Sequence, residues 1–172
     1  EAEGGRGGYT GYGGCYGTRM RGDFSLTEGE IIRIVVGQHA PSNGHTHSGS
    51  LGGGGGGTYV VRSPYNSNGS ILVIAGGGGT GSNNPWSNQS GDNANTGQCS
   101  NSGGGWGSAC SGNGGTGSST GAGGAGFFGD GSTGCGTPSS QRARSFTNGS
   151  RGGMGPRCWG GPTGYGGFGG GG

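Results

Sequence analysis

Five cysteines, three histidines and a handful of carboxylates are the residues with chemistry to offer in this chain. The cysteines stand at Cys15, Cys99, Cys110, Cys135 and Cys158 with no Cys-x-x-Cys pair, which speaks against a zinc ribbon. Their Ser/Asn/Gly-rich surroundings fit disulfides in an oxidising compartment, and an odd count predicts two intrachain bridges and one leftover thiol. Which cysteine is left over is not encoded in the spacing. Three sequons, at Asn68, Asn88 and Asn148, fit the same secreted context as N-glycosylation candidates.

The histidines cluster as His39, His45 and His47, yet no acidic or cysteine partner lies nearby to complete three or four metal ligands. Exposed loop histidines are the plainer reading, and no metal site is expected. Asp92 and Asp130 stand alone in sequence, so no nucleophile, base and orienting group come together. Gly76-Gly77-Gly78-Gly79-Thr80-Gly81 formally matches G-x-G-x-x-G after a strand, but Ser82-Asn83-Asn84-Pro85-Trp86 follows where a helix would have to receive a pyrophosphate. The chain is therefore read as a non-enzyme without a cofactor.

The basic residues are all Arg, since the sequence has no Lys, and the net charge is only +2. A Walker-type phosphate loop lacks its Lys, and a polybasic nucleic-acid tail is absent. Arg-Gly-Gly at Arg6 and Arg151 is too sparse for an RNA-binding reading. Arg21-Gly22-Asp23 spells an adhesion tripeptide; the plainer reading makes it a turn leading Asp23 into a strand.

The elements that must position these groups are dominated by glycine, 56 of 172 residues, in runs at 52–57, 76–79 and 169–172. No three-residue Gly-X-Y period makes it collagen, and single aromatics punctuate the runs in place of featureless low complexity. Trp86, Trp106 and Trp159, with Tyr59, Phe127, Phe128, Tyr165 and Phe168, are expected to pin an ordered lattice. Hydrophobic residues make up 24% of the chain, too few for an ordinary core to offset about 1–2 kcal/mol of backbone entropy per fixed residue. Polyglycine-II strands, three residues per turn at about 3.1 Å rise, can bond sideways to several neighbours because no Cβ intervenes. The 52–57 run would make two turns, roughly 19 Å long.

Two segments read as β-hairpins: Asp23-Phe24-Ser25-Leu26 with Glu30-Ile31-Ile32-Arg33-Ile34-Val35-Val36, and Thr58-Tyr59-Val60-Val61-Arg62 with Ser70-Ile71-Leu72-Val73-Ile74-Ala75. No convincing strand follows Ala75, and no segment supports an α-helix. The longest apolar run, Ile71-Leu72-Val73-Ile74-Ala75, is too short to span a membrane. The expected fold is mostly β plus irregular structure: a polyglycine-II bundle packed on a short antiparallel, incomplete jelly-roll-like β unit. It forms a single glycine-rich domain, 1–172, with hairpins in 1–75 and lattice with Asn/Ser loops in 76–172.

The order of segments carries a resemblance. Gly22-Asp23-Phe24-Ser25-Leu26-Thr27-Glu28-Gly29, Ile34-Val35-Val36-Gly37-Gln38, Leu72-Val73-Ile74-Ala75-Gly76 and Gly123-Gly124-Ala125-Gly126-Phe127-Phe128-Gly129-Asp130-Gly131 follow one another across nearly the whole chain. This order resembles the extracellular glycine-rich domain of the anaplastic lymphoma kinase and leukocyte tyrosine kinase receptors, a module widespread in secreted and surface proteins. The resemblance implies a polyglycine-II bundle against a jelly-roll-like sandwich, and binding of a small cytokine-like ligand in the receptors. It also implies that the chain starts where the family's first strands end, as a piece of a larger domain would.

A sandwich short of strands exposes sheet edges that template pairing with another chain. The functional expectation is an extracellular structural protein that self-associates into a filament or matrix, a homo-oligomer without nucleic acid or membrane span. The alternatives are a ligand-binding ectodomain piece of a receptor and a phage-type adhesin tip.

Overall fold

The computed structural model describes residues 1–8, 15–41, 53–79, 99, 110–116, 122–155 and 164–168. Within them the strands are β1 (Ala2–Glu3), β2 (Arg19–Met20), β3 (Ile32–Val35), β4 (Thr58–Arg62) and β5 (Ile71–Ala75). β1 and β2 form a short antiparallel pair, and β3-β4-β5 a three-stranded antiparallel sheet. Among the described residues there is no α-helix; short 3₁₀ turns occur at Asn68–Ser70, Ser139–Gln141 and Phe146–Asn148.

β4 and β5 form the expected second hairpin, with Thr58 opposite Ala75 and an irregularity between Val60 and Val61. The two β-branched runs and the Pro/Asn/Gly-rich connection between them suffice to specify it. The first expected hairpin does not form. Residues 21–27 lie outside any ladder and are exposed, and β3 pairs with β4, Ile34 opposite Val60 and Val35 opposite Tyr59. Burial explains the choice: on β4 Tyr59 and Val61 are buried, so joining that strand lets Val35 pack on the core, whereas Phe24 and Leu26 remain exposed.

Every strand is continuous with a segment outside the ladders: β1 leads into the glycine-rich 4–8, β3 into 36–40 and β5 into the glycines 76–79, while 15–18 leads into β2 and the glycines 53–57 into β4. At this boundary the bonding pattern changes. Gly4 and Gly7 donate to the carbonyls of Thr18 and Cys15 at 3.0 Å, and Gly5 and Gly8 to those of Gly56 and Gly53 at 2.7 and 2.8 Å. Cys15 and Thr18 donate in turn to Gly79 and Gly76 at 3.1 and 2.9 Å. A given neighbour is met at every third residue, where a β-ladder would follow a period of two.

These bonds also close rings. Gly5 donates to Gly56, Gly55 to Gly78 and Gly78 back to Gly5, at 2.7, 2.8 and 2.9 Å. Three segments each bonded to the other two cannot lie in one pleated sheet, because the outer strands of a sheet never meet. A second ring recurs far along the chain, Gly115 to Gly124, Gly123 to Ser132 and Ser132 to Gly115, at 2.8, 3.0 and 3.0 Å. The approach is possible only without side chains: a Cβ on Gly5 would overlap the Gln38 carbonyl, and one on Gly78 the Cys15 carbonyl.

The apolar core is small and joins the two halves. Tyr59 and Val61 from β4 meet Phe127, with Val35, Ile71, Ile74 and Phe146 packed around them. Phe146 stacks on Phe127 at 4.9 Å and tilts against Tyr59 at 5.4 Å, while Phe128 meets Phe127 edge-on at 4.6 Å. Such pairs contribute about 0.5–1.5 kcal/mol each beyond area burial. Burial pushes the Tyr59 hydroxyl pKa up to about 12. The expected tryptophan pins Trp86, Trp106 and Trp159, and the 169–172 run, lie outside the described residues.

Candidate functional site

Where the three-stranded sheet meets the second glycine region, an open groove of about 440 Å³ forms. β3 supplies Arg33, the β4–β5 connection supplies Tyr65 and Asn66, the 3₁₀ turn supplies Phe146 and Thr147, and Phe168 closes one side. Alternation along β3 puts Arg33 on the same face as Val35, toward the core, and Ile34 on the opposite one. The Arg33 guanidinium lies 4.0 Å over the Tyr65 ring, and the Tyr65 hydroxyl donates to the Ile31 carbonyl at 3.0 Å. The groove is thus assembled from residues distant in sequence, and none of them was a candidate on spacing alone.

Behind the groove, Asp130 organises the loop that carries Phe146. Its carboxylate accepts from the Ser145 N–H at 2.9 Å, the Arg144 guanidinium at 2.8 Å and the Asn148 amide at 2.9 and 3.2 Å, with Arg142 at 3.3 Å. Burial pushes the Asp130 pKa up, but the Ser145 N–H, Arg144 and Asn148 outweigh it and hold the carboxyl below its ordinary value. What stands alone in sequence is a hub in space.

A second surface lies at the outer edge of the sheet. Among the described residues no strand pairs with the outer edge of β3. Beside it Ile31, Ile34 and Val36 are 71%, 63% and 68% exposed. Large β-branched side chains at such an edge are a template for pairing, and Arg33, the one charge in β3, is drawn over Tyr65 on the other face from Ile34.

The sequence candidates fall as follows. Cys99 and Cys110 form a disulfide, Cys135 is disulfide-bonded, Cys15 is a half-buried thiol, and Cys158 lies outside the described residues. Asn68 is exposed on its 3₁₀ turn; Asn148 is exposed too, but its amide nitrogen is held by Asp130, so a glycan there would disrupt the hub. Asn88 lies outside the described residues. His39 Nδ1 accepts the Arg6 N–H at 2.9 Å, which makes this ring part of the backbone lattice; His45 and His47 are outside the description.

Among the described residues no group of three His, Cys, Asp or Glu could hold a metal ion, and no helix is long and apolar enough to cross a membrane. Arg21, Gly22 and Asp23 are exposed in the irregular segment after β2, and Asp23 does not enter a strand as the turn reading expected. Comparison of the chain with known protein families, curated proteins and solved structures finds no match.

Proposed function

We propose that this chain is a non-enzymatic, extracellular structural protein whose glycine segments pack as a polyglycine-II bundle on an incomplete, jelly-roll-like β unit, and which self-associates into a filament or matrix. The three-residue bonding period and the two closed rings support the polyglycine-II reading, because that helix repeats every three residues and bonds sideways in more than one plane. The Cys99–Cys110 disulfide supports an oxidising compartment.

One observation carries self-association: the outer edge of β3 has no strand beside it among the described residues, and it is flanked by exposed Ile31, Ile34 and Val36. A strand from a neighbouring copy would satisfy the outward backbone groups and cover these side chains together. Burying them is favourable at about 25 cal/mol per Å² of apolar surface.

Electron microscopy of the native material, without denaturant or reductant, tests this. Regular filaments are expected, and Ile34→Lys should disperse them by placing a charge at the pairing edge. Dispersed single particles that recover a protein ligand at stoichiometric ratio would replace the proposal with the receptor-type reading that the resemblance implies.

A further inference from the structure

We propose that the groove between β3, the β4–β5 connection and the 146–150 loop is a binding site for an acidic sugar, a hexuronate unit of an extracellular polysaccharide. Three independent features point to it. The first is shape and lining. At about 440 Å³ the groove has room for a pyranose ring, and it combines aromatic walls with polar groups placed around them. Phe168 leaves 41% of its surface exposed at the rim, a flat apolar platform for the C–H face of a sugar. The Asn66 amide is an exposed donor and acceptor at the same rim, suited to ring hydroxyls.

The second is charge. Arg19 pairs with Glu1 and Glu3, Arg62 with Glu30, and Arg142 and Arg144 with Asp130. Arg33, like Arg21 and Arg151, has no carboxylate partner among the described residues, and it alone of the three lines the groove, its guanidinium carbon 4.0 Å over the Tyr65 ring. A guanidinium held over a ring face by its carbon can still offer N–H groups to a ligand carboxylate. The cation–π contact fixes their position in advance.

The third is backbone conformation. Three non-glycine residues among those described have a left-handed φ: Tyr65 at 68°, Ser111 at 54° and Ser150 at 53°. Two of the three, Tyr65 and Ser150, line this groove, on opposite walls. Residues held in this sparsely populated region concentrate at ligand clamps, where the surroundings enforce them. At Tyr65 the enforcement is visible: its hydroxyl is tied to the Ile31 carbonyl at 3.0 Å, and Arg33 covers its face.

Sugar chemistry is favoured over an acidic peptide because the groove pairs one fixed cation with an exposed aromatic platform and scattered hydroxyl and amide groups. A peptide chain running through it would have to leave its own N–H and C=O groups facing the phenyl rings of Phe146 and Phe168. The site lies on the core-facing side of β3 and does not depend on the proposed assembly, so either idea can fail alone.

The experiment is calorimetric titration of the whole protein with short oligosaccharides of galacturonate, mannuronate and hyaluronan, with methyl-esterified oligogalacturonate as the neutral counterpart and an oligoglutamate peptide as the acidic one. At least one uronate oligosaccharide should bind, and its neutral ester should bind about tenfold more weakly, the loss of one charge-assisted pair. Arg33→Gln should abolish the acid–ester difference while leaving the weaker ester binding in place, and Phe168→Ala should weaken both. Arg33 is exposed, so its variant folds and remains a fair test. Absence of binding by all three uronates, Arg33→Gln binding like the parent, or oligoglutamate binding as tightly as the uronates would each overturn the proposal.

Discussion

Two kinds of contact hold this chain together, one in the three-stranded sheet and one in the glycine-rich segments that continue from it. In β3, β4 and β5 side chains choose the neighbours: Tyr59 and Val61 go to the core, Arg62 reaches Glu30, and pairing follows burial. In 4–8, 53–57 and 76–79 every residue but Arg6 is glycine, and backbone N–H groups find carbonyls in more than one plane. Thr58 stands at the boundary and serves both, its hydroxyl donating to the Glu3 carbonyl at 2.5 Å and accepting the Gly37 N–H at 2.8 Å. The difference teaches that a β-strand tolerates many side chains, whereas a network bonded on several sides requires glycine where one backbone lies against another, as at Gly5, Gly55 and Gly78.

The sharpest break in that comparison is Gly78→Val. A Cβ there would overlap the Cys15 carbonyl, and relief requires moving 76–79 away from 15–18, with which it shares the Cys15 and Thr18 hydrogen bonds. Gly78 is also tied into the ring with Gly5 and Gly55. Loss of cooperative folding is expected, beyond the roughly 4–5 kcal/mol that marks an exceptional substitution. Gly69→Ala is the matched control, since nothing lies within 4 Å of its Cβ position, and it should move the thermal midpoint little.

On the side-chain half, Phe127→Ala should cost about 3–5 kcal/mol, read by denaturant titration, because it empties the only cluster joining the sheet to the second ring among the described residues. Next in size is an alkaline effect. Tyr59 titrates near 12 when folded and near 10 when unfolded, so the folded state holds its proton longer. Stability is unaffected below about pH 10 and falls as pH rises toward 12, by about 1.4 kcal/mol per unit. Tyr59→Phe should flatten that slope in unfolding measured across the range.

Acid acts on the other titrating group. Asp130 is held below its ordinary pKa, so its contribution is present at neutral pH and is lost as pH falls through the folded value. Asp130→Asn should abolish that acid dependence. The smallest effect expected is Thr58→Val, about 1 kcal/mol, as two hydrogen bonds at the boundary are removed together.

Part of this was legible in the residues. Two β-branched runs separated by a Pro/Asn/Gly-rich connection placed β4 and β5, although Asn68-Gly69 itself sits in a 3₁₀ turn. The run Glu30 to Val36 read equally as a strand, but its partner did not follow from adjacency: Asp23 to Leu26 offers two apolar side chains, and β4 offers a buried face. Glycine runs announced close approach without naming the neighbours, because a residue with no side chain carries no pairing preference. Asp130 looked isolated since its partners Arg142, Arg144 and Asn148 lie 12 to 18 residues away. Arg33 gave no local signal and Phe168 read only as a packing aromatic, the two being joined only when the sheet meets the second glycine region.

Hydrogen exchange at individual backbone amides tests the lattice most directly. The Gly5, Gly55 and Gly78 N–H groups form one closed ring. Their protection should match that of the β4 amides and vanish together in Gly78→Val. Exchange of these three glycines at the rates of an unstructured chain, with β4 still protected, would contradict the account: the glycine half would then be a tether, and the sheet would stand alone.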